Sequence, residues 1–295
     1  MQVVSLGAPP GSADPVSEQY VARVALPTTI ASLSERLVAS WRKLIASNTT
    51  LFLILLCVNA WALPYAGLVH DARLYGIQVV NRVEDGSFAG DLYLQYGSQD
   101  RYTLFSTVAA PLVQTLGLRL AFVLIYLVSI AVFLWGTQRL ILGLCEDRLL
   151  ASLALIFLAT THMTFAGLEN FYINENFVTP RVAANGLILW ALALLLEQKT
   201  WKALGLIILA LALHPLMACC GLLVYLAYLY AGRFAKWHAV VLCLAVLAGG
   251  GLLCSDSLAG RLLGRMDGEW RDAVRRASPY NFPADWAAED WWHIL

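Results

Sequence analysis

Residues 203–232 contain no Asp, Glu, Lys or Arg, and this constrains the fold more than any other feature of the chain. As one helix the stretch would be roughly 45 Å long, against a bilayer hydrocarbon core of about 30 Å. His214-Pro215 divides it in the middle, and proline disfavours helical geometry at the residue before it. The preferred expectation is a hairpin of two helices turning at His214-Pro215; a single tilted, kinked span is the alternative. Apolar runs recur between 51 and 254, which predicts an all-α polytopic membrane protein. Only 14% of residues are charged, against about 25% in a soluble domain.

Hydropathy predicts about seven transmembrane helices, at 51–69, 120–142, 149–166, 181–197, 201–214, 216–232 and 237–255. A long outer loop, 70–118, follows the first. Its last part, 103–118, is only mildly apolar and contains Pro111, so it is predicted to lie along the membrane surface. Ahead of the first span, Gly, Pro, Ser and Asp dominate 6–18, and 1–28 reads as a disordered cytoplasmic arm. Residues 29–46 set Ile30, Leu33, Leu37, Trp41 and Leu44 against Glu35, Arg36, Arg42 and Lys43, an amphipathic interfacial helix.

Positive charge marks the cytoplasmic side. Arg36, Arg42, Arg139, Arg148, Lys199, Lys202, Arg233 and Lys236 fall on one side of this topology, which puts the N-terminus in the cytoplasm. Residues 256–295 form a polar, Trp-rich tail; Trp286, Trp291 and Trp292 suit an interface anchor or equally the approach to a further C-terminal span. Formal net charge is zero, which argues against nucleic acid as a partner. The six cysteines show no CxxC or Cys/His metal spacing and read as small buried hydrophobes.

Polar residues collect at three places on the outer side. In GLVHDARLYG, 67–76, Asp71 follows the first apolar run directly. A carboxylate so placed is partly desolvated and suits a general base, although pairing with Arg73 or His70 explains it equally. ENFYINENFVTPR, 169–181, brings Glu175 and Arg181 to the start of a helix, with Pro180 in its first turn and Thr179 as cap. A cation there opposes the helix dipole, which a bound phosphate or carboxylate would offset. His214, at the hairpin tip, is the third. The hairpin topology brings Asp71, Glu175, Arg181 and His214 to one membrane face.

This pattern resembles the GT-C superfamily of integral membrane glycosyltransferases, in particular the branch of bacterial lipid A aminoarabinose transferases and protein O-mannosyltransferases. Its members open their first outer loop with a motif of the form D-E-x-x-Y; DARLY keeps Asp71 and Tyr75, with Ala72 where a second acid is common. The stretch from EQKTWK to AKWH, 197–238, is similar to the family's hairpin, with His214-Pro215 where the turn often carries a lysine or arginine. Thr179-Pro180-Arg181 stands where an acid usually precedes the fourth span.

The resemblance implies a multi-pass protein, of the inner (plasma) membrane if bacterial, that moves a sugar from a polyprenyl-phosphate donor to an acceptor hydroxyl. It implies Asp71 as catalytic base, with Tyr75, Glu175, Arg181 and His214 binding substrate. Arg181 and His214 would hold the donor phosphate, and Glu175 would place the acceptor or a divalent cation. The departures at Ala72 and Thr179 favour an alternative, a non-catalytic membrane scaffold or subunit. A lipid or small-molecule transporter would need mid-span charges or an internal repeat, and neither is evident.

Overall fold

The computed structural model describes residues 28–165, 171–231 and 267–292. The expected arm (but for Thr28), the span at 237–255 and the first part of the tail lie outside the described residues. The chain forms two compact units, Met1–Leu44 and Ile45–Leu295. In the first, α1 (Thr28–Leu44) matches the expected amphipathic helix. Arg42 and Lys43 occupy its last turn, where the dipole favours cations.

The second unit contains α2 (Asn48–Ala62), α3 (Asp71–Val83), α4 (Phe105–Leu144), α5 (Arg148–Thr160), α6 (Pro180–Leu196), α7 (Thr200–Leu213), α8 (Pro215–Ala231) and α9 (Gly268–Ala277). The all-α expectation holds, with one small addition. Two short strands, β1 (Thr164–Phe165) and β2 (Phe171–Tyr172), pair antiparallel ahead of α6. Among the described residues, α4 alone is a single helix long and apolar enough to cross a membrane, with a mean hydropathy of 2.4 over its best window. The other apolar helices, α5 to α8, have 13 to 17 residues. They reach about 20–26 Å, short of a full hydrocarbon core.

Several expected boundaries move. The run at 51–69 is not one helix: α2 stops at Ala62, Leu63 leaves helical geometry and Gly67 adopts φ +83°. Pro64 cannot continue the helix. Asp71 therefore opens a new helix, α3, instead of ending a span. The span expected at 149–166 stops at Thr160, where the Thr160 and Thr161 hydroxyls donate back to the Ile156 and Phe157 carbonyls. α4 is two helical limbs, 105–116 and 118–144, broken at Gly117 with φ +75°. The first limb covers most of the stretch 103–118 that is expected along the membrane surface.

Residues 200–231 form two helices that pack on each other. Ile207 of α7 and Tyr225 of α8 share one cluster with Ala191 and Leu194 of α6. Ala210 and Ala218 share another with Ala184, Leu187 and Ile188. The chain therefore reverses at His214, which is extended (φ −153°), as the hairpin reading requires.

The helices of the bundle alternate in direction along the chain. Gln138 donates to the Asn48 carbonyl (2.8 Å) and Tyr126 to that of Leu63 (3.2 Å), which sets α4 antiparallel to α2. Asn59 donates to the Ala159 carbonyl (2.9 Å) and Arg148 to Asn48 Oδ1 (2.6 Å), which sets α5 parallel to α2. α4 and α6 run side by side with their backbones touching. A Cβ on Gly136 would fall 2.1 Å from the Gly186 carbonyl oxygen, and one on Gly186 would fall 2.5 Å from Phe133 Cα. One end of the bundle thus collects the starts of α3 and α6 with the α7–α8 turn. The other collects the α6–α7 turn with the end of α4.

Candidate functional site

Arg181 organises the first end. It lies in the first turn of α6, behind Pro180 at the N1 position, where a missing backbone N–H costs nothing. Its Nη1 meets Asp71 Oδ2 at 2.8 Å, and its Nη2 meets Glu175 Oε1 at 2.7 Å. Nε also donates to Glu175 Oε1, at 2.9 Å. The side chains of Arg181 and Glu175 are 12% and 2% exposed, whereas that of Asp71 is 40% exposed. Asp71 therefore pairs with Arg181; Arg73, one of its expected partners, donates instead to the Leu68 carbonyl at 3.1 Å.

Thr179 occupies the N-cap position of α6 but makes no side-chain cap. Its hydroxyl hydrogen-bonds the Glu175 carboxylate instead. This corrects the expected cap and has a physical cause: a buried carboxylate takes the strongest donors available. Burial pushes the Glu175 carboxyl above its ordinary range, opposed by the Arg181 charge and the bonds from Thr179 and Arg181.

Tyr75 lies one turn into α3 from Asp71, buried at 3% exposure, its hydroxyl donating to Gln99 Oε1 at 3.2 Å. Burial pushes its phenol well above the usual range, so it stays protonated. Behind it, Gln78 donates to the Tyr93 hydroxyl (2.8 Å) and to Ser98 Oγ (3.1 Å). The Tyr93 phenol is pushed up to about 12, chiefly by burial. Arg82 pairs with Asp100 at 2.9 Å, and Asp100 also accepts from Ser106. Sequence reasoning missed Gln78, Tyr93 and Gln99. The signal for Gln78 was the spacing of Asp71, Tyr75, Gln78 and Arg82, which fall on one face of a 3.6-residue helix; Tyr93 and Gln99 lie outside that helix.

His214 is 5% exposed, and its Nδ1 accepts from the Met217 N–H at 3.3 Å. Burial first, and the Arg181 charge second, hold its pKa at about 4. It is neutral near pH 7 and, with Nδ1 accepting, keeps its proton on Nε2. The residue expected to hold phosphate at the hairpin tip is thus a neutral hydrogen-bond donor. The fields of Asp71 and Arg181 both reach it, so all five expected residues belong to one electrostatic cluster.

Two cavities flank this cluster. One, about 650 Å³, runs between the two limbs of α4 and the adjoining ends of α6 and α7. Its wall is apolar, including Phe105, Val108, Leu124 and Val128, and also Pro180 and Leu213, the chain neighbours of Arg181 and His214. The other, about 310 Å³, is lined by His70, His162, Tyr172, Asn176 and Phe177. His70, beside Asp71, adopts φ +45°, a strained conformation that costs a non-glycine residue about 1–3 kcal/mol.

Among the described residues, no three His, Cys, Asp or Glu side chains gather into a metal-holding group. Both Glu175 carboxylate oxygens are engaged, by Thr179 and Arg181. The described residues do not fit the divalent cation that the resemblance allows. No family model, curated protein or solved structure matches the chain.

Proposed function

We propose that this chain is a multi-pass membrane glycosyltransferase whose donor is a polyprenyl-phosphate sugar. In this reading α2, the second limb of α4 and α5 to α8 lie in the bilayer. The Asp71–Arg181 cluster then faces the outer side, and the N-terminus and the α6–α7 turn lie in the cytoplasm. The observation that carries the reading is the apolar cavity of about 650 Å³ beginning at the chain neighbours of Arg181 and His214. An isoprenoid tail needs such a groove, and its phosphate needs a buried cation at the end of it.

The step follows from this arrangement. A donor phosphate that takes over Arg181 Nη1 displaces Asp71 Oδ2 and leaves that carboxylate to accept the acceptor hydroxyl's proton. The acceptor oxygen bonds to the sugar's anomeric carbon as the bond from that carbon to the phosphate oxygen breaks. The electron pair leaves on the polyprenyl phosphate, and Arg181 offsets the growing charge. His214 Nε2–H supplies a neutral hydrogen bond to the same group.

The test is transfer of labelled sugar from a polyprenyl-phosphate donor by the full chain in reconstituted membranes. Asp71→Asn should lower transfer at least 100-fold, while the exposed loop acid variant Glu84→Ala should leave it unchanged. Equal transfer by Asp71→Asn and the unsubstituted chain would sink the reading. A second reading, the scaffold, is favoured by the closed pairing of Arg181 with both carboxylates. It expects no transfer from the unsubstituted chain and a lowered Tm in Asp71→Asn.

A further inference from the structure

The opposite end of the bundle holds a second built feature. A cleft of about 340 Å³ is lined by Arg139 at the end of α4, Trp190 and Leu194 of α6, Lys199 of the turn, and Lys202 and Leu206 of α7. It lies toward the far end of α6 from Arg181, its α6 lining residues about 14–20 Å along the helix.

Its charges are unbalanced. Glu197 is the acid that meets the lining cations, one carboxylate oxygen taking Arg139 and the other Lys199 at 2.6 Å. Both its oxygens are thereby occupied. Among the described residues, no carboxylate pairs with Lys202, which is exposed at the rim. Three cations against one acid leave the cleft with a surplus of about two positive charges.

Its chemistry is also layered. The basic groups sit at the α6–α7 turn, and Trp190, Leu194 and Leu206 continue the wall toward the middle of the bundle. Trp201, beside Lys202, is 82% exposed, as an indole at a membrane–water interface would be. A soluble anion would use the cations alone. An anionic phospholipid would use both layers, its phosphate among the lysines and its acyl chains along the apolar wall.

We infer that this cleft binds the headgroup of an anionic phospholipid of the cytoplasmic leaflet, with Lys202 and Lys199 on the phosphate and Trp190, Leu194 and Leu206 against the acyl chains. The inference rests on the membrane placement proposed above but not on the transfer reaction. The shared chemistry, a phosphate anion, is also offered by free phosphate, so the two sources are tested separately.

The experiment titrates the detergent-solubilised full chain with short-chain phosphatidylglycerol, short-chain phosphatidylcholine or inorganic phosphate, following Tm and tryptophan fluorescence. Phosphatidylglycerol should raise Tm saturably, and phosphatidylcholine and inorganic phosphate should not at the same concentration. Lys202→Gln should weaken the phosphatidylglycerol response about fivefold, and Arg276→Gln, on α9, should leave it unchanged. Equal responses to the two lipids, or an unchanged response in Lys202→Gln, would overturn the site. A response to inorganic phosphate as strong as that to phosphatidylglycerol would overturn the lipid as its occupant. None of these readouts depends on sugar transfer.

Discussion

Near neutral pH, His214 contributes to stability by staying uncharged. Its folded pKa, held at about 4 by burial and by Arg181, lies below the unfolded value of about 6.5. The unfolded chain therefore binds more protons between the two values. The stability is fully present above pH 6.5 and is lost as pH falls toward 4. The loss amounts to about 3 kcal/mol. His214→Gln, which cannot titrate, should flatten that acid limb when Tm is followed against pH; an identical limb in the variant would assign it to another group. Arg181 and Asp71 illustrate what was legible at this scale. The residue types and their common face could be read from the chain, but their ion pair joins positions 110 residues apart, and no local pattern encodes such a partner. The Thr179 acceptor, Glu175, is only four residues away, but the chain does not show that burial of this carboxylate draws the hydroxyl from the cap.

Among the elements, the contact of α4 with α6 is the tightest described. The missing side chains of Gly136 and Gly186 let two backbones meet. Gly186→Ala places a methyl within 2.5 Å of Phe133 Cα, so the helices must separate. A stability loss of about 1–3 kcal/mol is expected, read as a lowered Tm, with Gly205→Ala, where no atom lies within 4 Å of the added Cβ, as the neutral control. Equal Tm values for the two variants would refute the close approach. The apolar runs made most of these helices visible in the sequence, and His214-Pro215 marked the hairpin. The break after Ala62 was also marked, by Pro64 and Gly67, but continuous hydropathy up to Val69 masked it. The glycine pair was not legible, since small residues show which helix can approach closely but not which partner it meets.

For the whole molecule, the alternating helix directions assign each turn to one of two ends. If those ends face opposite sides of a membrane, a single cysteine placed at Ser87 should react with an impermeant maleimide from outside intact cells. One at Gln198 should react only after permeabilisation, both in a chain freed of its native cysteines. Labelling of both positions from the same side would overturn the multi-pass arrangement. The short lengths of α5 to α8 also bear on this scale. A bundle of such helices fits a thinned bilayer more readily than a thick one.

If the groove takes the proposed donor, the break at Gly117 governs how that donor arrives. It splays the two limbs of α4, and the groove between them is walled by side chains open to the surroundings, Val108 at 66% and Val128 at 63%. A donor using that groove would enter sideways from within the lipid and not from bulk water. Its rate of capture would follow its mole fraction in the bilayer, so diluting the donor with inert phospholipid at constant total amount would slow turnover even though its concentration per litre is unchanged.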